Sequence, residues 1–82
     1  MAHDALAIAL YRQKRYAEAE KEERRAVALN PQYAPAHDNL GLALAAEKRY
    51  VEAIREYRRS LELEPGNPNA LANLRVAQSH VR

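Results

Sequence analysis

The sequence contains no cysteine, which excludes a disulfide framework, a thiolate metal site and a cysteine nucleophile. Its only two glycines, Gly41 and Gly66, cannot form a glycine-rich phosphate-binding loop. No apolar run approaches the roughly 20 residues of a membrane span, and the N-terminus lacks the basic start and apolar core of a signal peptide. The 13 basic and 11 acidic residues nearly balance, so charge alone indicates neither a nucleic acid nor a membrane as partner. These absences predict a cytoplasmic protein that is not an enzyme and uses no cofactor and no metal.

What the sequence does contain is an internal repeat. Residues 14–31, KRYAEAEKEERRAVALNP, align without a gap with residues 48–65, KRYVEAIREYRRSLELEP, and 10 of these 18 positions are identical. The repeat extends beyond this block, because Leu6, Leu40 and Leu74 are each 34 residues apart. A fixed period of this length is the signature of an architecture in which each unit packs on its neighbours.

Proline and asparagine mark the ends of helices within each copy. Pro35 and Pro68 suit the first helical turn, and Asn67 is a plausible N-cap. Pro31 and Pro65 end the preceding helices, because the residue before a proline avoids helical angles. Apolar residues between these marks recur at helical spacing, and the short connections predict antiparallel neighbours. The predicted helices span about residues 2–13, 17–29, 35–46, 51–63 and 68–81.

A 34-residue unit of two helices resembles the tetratricopeptide repeat. The residues that carry the resemblance in the second copy are Leu40, Gly41, Ala43, Tyr50, Ala53, Tyr57, Leu61 and Pro65. The resemblance implies an all-α, right-handed alpha-alpha superhelix of about five helices. It divides the single domain into a first repeat over 1–33, a second over 34–67 and a capping half-repeat helix over 68–82. It also implies a protein-interaction scaffold rather than an enzyme.

Two departures from the family pattern lead to predictions. Glu20 and Glu23 stand where the second copy has Ile54 and Tyr57. We expect both carboxylates to reach solvent, because burying an unpaired carboxylate is costly. Lys14 and Lys48 occupy turn positions where the family often has glycine, so left-handed backbone angles there would cost on the order of 1 kcal/mol each.

The resemblance implies a concave groove lined by the first helix of each repeat. Ile8, Leu42 and Val76 would form an aliphatic row along it. Asn39 and Asn73 are equivalent amides that can both donate to and accept from a peptide backbone. We therefore expect the groove to bind a partner peptide or helix. The other residues predicted to line it are Asp4, Tyr11, Arg12, Asp38, Ala46 and Asn69.

One version of this groove binds the acidic C-terminal tails of heat-shock chaperones through a dicarboxylate clamp of asparagine, lysine and arginine. The residues at the matching positions here are Asp4, Ile8, Asn39, Asn69 and Asn73. Only Asn39 fits, and Asp4 has the wrong charge. This comparison predicts that an acidic chaperone tail is not the partner, and the identity of the partner stays open.

The basic residues and the histidines have simpler interpretations. Paired arginines recur at Arg24–Arg25 and Arg58–Arg59, interleaved with glutamates at helical spacing, which favours a solvated, salt-bridged face. No aromatic residues alternate with them as in surfaces that bind single strands, so no nucleic-acid partner is predicted. His3 and His37 stand one repeat apart, but their position usually holds a bulky packing residue in the family, so no metal site is predicted.

Self-association is the alternative function. The last helix has only one neighbour, so Leu74, Ala77 and Val81 would leave an apolar strip exposed. Two such strips could pair in a homodimer, or the chain could be a piece of a longer array of repeats.

Overall fold

Four α-helices account for most of residues 15–81, the part of the chain that the computed structural model describes. Their bounds are Tyr16–Leu29 for α1, Ala34–Ala46 for α2, Tyr50–Leu63 for α3 and Pro68–Ser79 for α4. Each helix packs against the next along the chain, and α2 also meets α4. Residues 15–81 contain no strand, so the all-α prediction is confirmed. The helix predicted over residues 2–13 lies outside the described residues.

Prolines end two of the helices, as the sequence indicates. α1 and α3 stop at Asn30 and Glu64, the residues that precede Pro31 and Pro65. The φ and ψ angles are −144° and 81° at Asn30 and −133° and 80° at Glu64, which lie outside the helical region that a following proline disfavours. The helix breaks therefore follow from local chain sterics and do not depend on packing.

The start of α4 is fixed by a side-chain cap. Asn67 Oδ1 accepts hydrogen bonds from the backbone N–H groups of Asn69, at 3.0 Å, and Ala70, at 3.3 Å. Pro68 occupies the first turn, where its missing N–H costs nothing. The predicted N-cap is confirmed, and it satisfies two donors that the first turn of a helix leaves unpaired.

The turn between α2 and α3 uses left-handed backbone angles. Lys48 has φ 65°, and it is the one residue other than glycine with positive φ among the described residues. The N–H of Arg49 reaches back to the carbonyl oxygen of Leu44 at 2.9 Å, which closes the last turn of α2. The predicted strain at Lys48 is therefore present, and Lys14 lies outside the described residues.

The core forms where α3 packs against α2 at a glycine. A Cβ atom built on Gly41 would lie 2.5 Å from Cε1 and 2.7 Å from Cδ1 of Tyr57. Tyr57 is 1% exposed, so its ring lies directly against the backbone of α2. Burying a ring of this size is a large part of the stabilisation of a small domain. The buried residues packed together here are Leu40, Leu44, Ala53, Tyr57 and Ala77.

The prediction that Glu20 and Glu23 reach solvent is wrong. Glu23 is 1% exposed, as is Tyr57, which stands at the equivalent position one repeat later. The Glu20 side chain is 14% exposed, and it binds Arg24 at 2.7 Å and Arg49 at 2.6 Å. The prediction treated Glu20 as an unpaired carboxylate, whereas an arginine of the next repeat compensates for its burial.

Arg49 joins the two repeats on their outer side. Besides Glu20 it binds both carboxylate oxygens of Glu52, at 3.0 and 2.6 Å. Burial alone would raise the pKa of Glu20, but hydrogen bonds and the charges of Arg24 and Arg49 outweigh it and hold the pKa below its usual value. Burial, together with the nearby Glu20 carboxylate, raises the pKa of Glu47. Arg49, the arginine of the second KRY segment, therefore links the two repeats.

His37 holds the loop that precedes α2. Its Nδ1 lies 2.9 Å from Glu56 Oε1 and its Nε2 donates to the carbonyl oxygen of Pro31 at 2.7 Å. The residue is 6% exposed. Both ring nitrogens are therefore engaged within the fold, which agrees with a packing role.

Candidate functional site

The first helices of neighbouring repeats, α2 and α4, contact each other and carry the described residues of the predicted groove, which is called the concave face below. Asn73 on α4 donates from its side-chain nitrogen to Asp38 Oδ1 on α2 at 3.3 Å. The two residues are 35 positions apart, one repeat plus one residue. This hydrogen bond joins the two helices and orients the Asn73 amide on the predicted groove.

The predicted aliphatic row is open to solvent at one end. Val76 is 61% exposed, whereas Leu42, its equivalent one repeat earlier, is half-buried and packs against the core. Among residues 15–81, Leu29 is the one large aliphatic residue that is more exposed. Val76 therefore offers apolar surface beside the Asp38–Asn73 pair.

The charge on this face is small and negative. Burial raises the pKa of Asp38, and the hydrogen bond from Asn73 opposes that rise. α2 contains no lysine or arginine, and the single arginine of α4, Arg75, stands at the position equivalent to Gly41, on a different side of the helix. The described part of the concave face therefore offers amides, one carboxylate and aliphatic surface, but no cation.

The structure places the other predicted groove residues as follows. Asn39 and Ala46 are half-buried on α2. Asn69 is exposed in the first turn of α4, with its backbone N–H bound by the Asn67 cap. The predicted residues that lie outside the described part of the chain are Asp4, Ile8, Tyr11 and Arg12.

The strip predicted to mediate self-association is mostly covered. Ala77 is 1% exposed, and Leu74 is half-buried against the core, so the expectation that these two are exposed is wrong. Val81 is 37% exposed. The end of α4 also stacks on α3, because the rings of His80 and Tyr50 lie 4.3 Å apart with an interplanar angle of 7°. α4 therefore folds back over the core, and no pattern in the sequence indicated this stacking.

Within residues 15–81, no group of three or more histidine, cysteine, aspartate or glutamate side chains could hold a metal ion. No helix of this part of the chain is long and apolar enough to cross a membrane.

Residues 34–67 match the family model of the tetratricopeptide repeat. The first TPR of Spaghetti (RPAP3), bound to the HSP90 peptide SRMEEVD, superimposes with a TM-score of 0.91 and 39% identity over 94% of this chain. The chain belongs to the tetratricopeptide-repeat family. Its helices form the helical solenoid of that family, a protein-interaction fold and not an enzymatic one. A search of curated protein sequences found no match.

Two more tetratricopeptide domains with solved structures are similar. The first TPR domain of human RPAP3 gives a TM-score of 0.88 and 40% identity over 90% of this chain. The second TPR domain of human RPAP3, in complex with the HSP70 peptide SGPTIEEVD, gives a TM-score of 0.90 and 30% identity over 93% of this chain. This tetratricopeptide chain spans 61%, 58% and 63% of the lengths of the three matched chains.

The prediction that excluded acidic chaperone tails is wrong. Two of these similar domains are solved with acidic peptides of HSP90 and HSP70 that end in EEVD. The exclusion assumed that the first copy here corresponds to the first repeat of a clamp. A chain that spans three fifths of its neighbour can correspond to other repeats, so Asp4 and Ile8 need not occupy clamp positions. A comparison of five single positions could not settle this.

Proposed function

We propose that the concave face formed by α2 and α4 binds an extended peptide, and that C-terminal peptides ending in EEVD are the first candidates. The observation that carries the proposal is the similarity, at a TM-score of 0.91 and 39% identity, to a domain solved with such a peptide. A second similar domain, with a TM-score of 0.90 and 30% identity, is also solved with a peptide of this type. The chain thereby acts as a protein-interaction scaffold.

The groove chemistry that supports this proposal is apolar contact together with amide hydrogen bonding. Covering the exposed surface of Val76 with the valine of such a peptide contributes about 1 kcal/mol, since complete burial of a valine is worth roughly 1.5–3 kcal/mol. Asn73 is already oriented by Asp38, so it loses little rotamer freedom when it bonds a peptide backbone. Each such hydrogen bond adds about 0.5–1.5 kcal/mol.

The charge of the described groove predicts how binding responds to salt. No lysine or arginine belongs to the part of the concave face that residues 15–81 form. Binding that depends on amides and on Leu42 and Val76 changes little with ionic strength, because salt screens charges and not apolar contacts. A weak salt dependence is therefore expected even for an acidic peptide.

A titration with two matched variants tests the proposal. Fluorescein-labelled SRMEEVD and SGPTIEEVD are titrated with the chain, and anisotropy gives Kd. Val76→Glu is the test variant and Leu29→Glu the control, since both replace an exposed aliphatic residue, 61% and 67% exposed, with the same charge. Val76→Glu should weaken binding about tenfold, which corresponds to about 1.4 kcal/mol, and Leu29→Glu should not.

Two results count against groove binding. The proposal fails if neither peptide binds wild type, or if both variants weaken binding equally. An Asn73→Ala variant adds a second readout. It should weaken binding about three- to tenfold, because one amide contact and the orientation it receives from Asp38 are lost.

Self-association is kept as the second candidate function. The observation that favours it is the exposure of Leu71, at 38%, on α4 and of Val81, at 37%, just after the end of that helix. Light scattering from micromolar to millimolar concentration, with Val81→Glu beside wild type, tests it. A concentration-dependent mass that the variant abolishes supports a dimer, and a constant monomer mass for both rejects it. A cytoplasmic location also stays a prediction.

A further inference from the structure

The convex side of the domain carries cations that the fold itself does not neutralise. Lys21 on α1 and Arg55 and Arg58 on α3 are exposed, and within residues 15–81 none of them forms an ion pair. Val51, on the same outer side of α3, is 56% exposed. These four residues are called the convex patch below.

The cations of the convex patch lack partners because other residues hold the nearby carboxylates. The three glutamates of α3 are each bound elsewhere: Glu52 by Arg49 at 2.6 Å, Glu56 by His37 at 2.9 Å and Glu62 by Arg59 at 3.6 Å. On α1, Glu20 is bound by Arg24 and Arg49, and Glu22 by Arg25. The interleaved charges of the sequence therefore do not cancel in space, and a positive surface remains.

The distances between the side chains of the convex patch indicate the kind of ligand that fits it. Arg55 and Arg58 are three residues apart on one helix, which places their Cβ atoms about 5–6 Å apart. Lys21 is the equivalent of Arg55 in the neighbouring repeat. Val51 lies one turn before Arg55, so apolar surface adjoins the cations. In an extended peptide, alternate side chains lie on one side about 6.6–6.8 Å apart, within the reach of flexible arginine side chains.

We propose that the convex patch of Lys21, Val51, Arg55 and Arg58 is a second docking surface, which binds an acidic protein segment in which carboxylates alternate with aliphatic side chains. Arg55 and Arg58 bind carboxylates at alternate positions, and Lys21, at the equivalent position on α1, binds a third. Val51 contacts an aliphatic side chain of the segment. The surface lies on α1 and α3, so it is separate from the concave face on α2 and α4 and does not rest on the groove proposal.

A nucleic acid fits this surface less well than an acidic protein segment does. Binding of single strands combines a cationic track with exposed aromatic side chains on which bases stack. Of the tyrosines in residues 15–81, Tyr57 is buried, Tyr50 is stacked on His80, and none belongs to the exposed class. An aliphatic valine between the cations suits a peptide side chain instead.

The test uses a peptide whose ends are blocked, so that a free carboxylate is not required. Its sequence alternates glutamate and valine over about 12 residues, and a glutamine–valine peptide is the uncharged control. The test variant is Arg55→Ala/Arg58→Ala. The control variant, Arg25→Ala/Arg59→Ala, removes the same charge from arginines that already have glutamate partners. Circular dichroism establishes that both variants keep their helices.

The proposal expects binding of the glutamate peptide at about 50 mM NaCl that weakens strongly at about 300 mM, because exposed charges are screened. The Arg55→Ala/Arg58→Ala variant should weaken binding about tenfold, and the control variant less than about threefold. Val76→Glu should leave binding unchanged. Equal loss in both double variants would show a response to net charge only and overturn the proposal. So would equal binding of the glutamine peptide, no binding, or tighter binding of a thymidine oligonucleotide.

Discussion

Gly41→Ala tests the packing on which the whole fold depends. The added Cβ would lie 2.5 Å from Cε1, 2.7 Å from Cδ1 and 3.0 Å from Cζ of Tyr57. These contacts are with the body of an aromatic ring and not with the flexible end of a side chain. Tyr57 is 1% exposed and lies between α2 and α3, so the ring cannot swing away into solvent. The two helices must therefore move apart or the ring must leave its rotamer.

The expected cost follows from two opposing effects. Overpacking of a well-filled core costs typically about 1–3 kcal/mol, and three short contacts with a fixed ring place this site in the upper part of that range. Alanine is favoured over glycine inside a helix by about 1 kcal/mol. The net loss in the free energy of unfolding is therefore about 1–2 kcal/mol. For a domain of this size, each kcal/mol lowers Tm by about 4–8 °C, so Tm should fall by about 5–15 °C.

A double-mutant cycle separates the contact from helix propensity. In a Tyr57→Leu background the ring is absent, so Gly41→Ala should be neutral or stabilising by up to about 1 kcal/mol. Urea unfolding followed by circular dichroism gives all four free energies. If Gly41→Ala raises Tm in the wild-type background, or costs the same with and without the ring, then α2 and α3 do not pack through this contact.

Three further predictions concern substitutions at Ala53, Asn67 and Asp38. Ala53→Leu, at a fully buried position, should cost about 1–3 kcal/mol or more, whereas Ala46→Leu should cost much less; equal losses of Tm would contradict the assigned faces. Asn67→Ala should cost about 1 kcal/mol and Asn67→Ser little, as measured by urea unfolding, and equal effects would refute the cap. Burial raises the pKa of Asp38, so the folded state binds a proton more readily than the unfolded state does. The free energy of unfolding therefore falls as the pH rises through the pKa of Asp38, because ionising the buried carboxylate destabilises the folded state. Asp38→Asn should therefore raise Tm at pH 7, with an advantage that shrinks toward about pH 4, and a lower Tm at pH 7 would contradict this reasoning.

The helices were predictable because their boundaries are set locally. Proline at positions 31 and 65 and the Asn67 cap act within a few residues, and the four described helices begin and end within about two residues of the predicted limits. The 34-residue period made the pairing of α2 with α3 predictable too. The contact of Gly41 with Tyr57 then follows, because a small residue must face a large one where two helices approach closely.

The features that could not be predicted from the sequence are ion pairs between residues of different helices. Glu20 looked like an uncompensated carboxylate, but Arg49, 29 residues away, binds it across the repeat boundary. Arg58 belongs to an arginine pair that was predicted to lie on a salt-bridged face, but the glutamates of α3 bind other residues. Helical spacing shows which charged side chains are neighbours on one helix. It does not show which of them bind side chains on another helix instead, so the actual ion pairs could not be predicted from the sequence.

The concave face was predicted only in part, for the same reason. Val76 and Leu42 follow from the repeat, because equivalent positions in successive first helices lie on one face. The bond between Asp38 and Asn73 joins different repeat positions, and no pattern of equivalent residues indicates it. The exclusion of acidic tails was wrong because it matched single residues to clamp positions. Such a match requires knowing which repeat of the longer domain each repeat of this chain corresponds to, and the chain spans 61% of that domain.

Mapping a bound peptide onto the chain by NMR tests the central claim most directly. Proton–nitrogen spectra are recorded while SRMEEVD is added to the Arg55→Ala/Arg58→Ala variant, which removes the convex patch as a competing site. The account predicts chemical-shift changes that saturate and cluster on α2 and α4, around Asn39, Leu42, Asn73 and Val76. Changes confined to α1 and α3, or no saturating change at millimolar peptide, would contradict it.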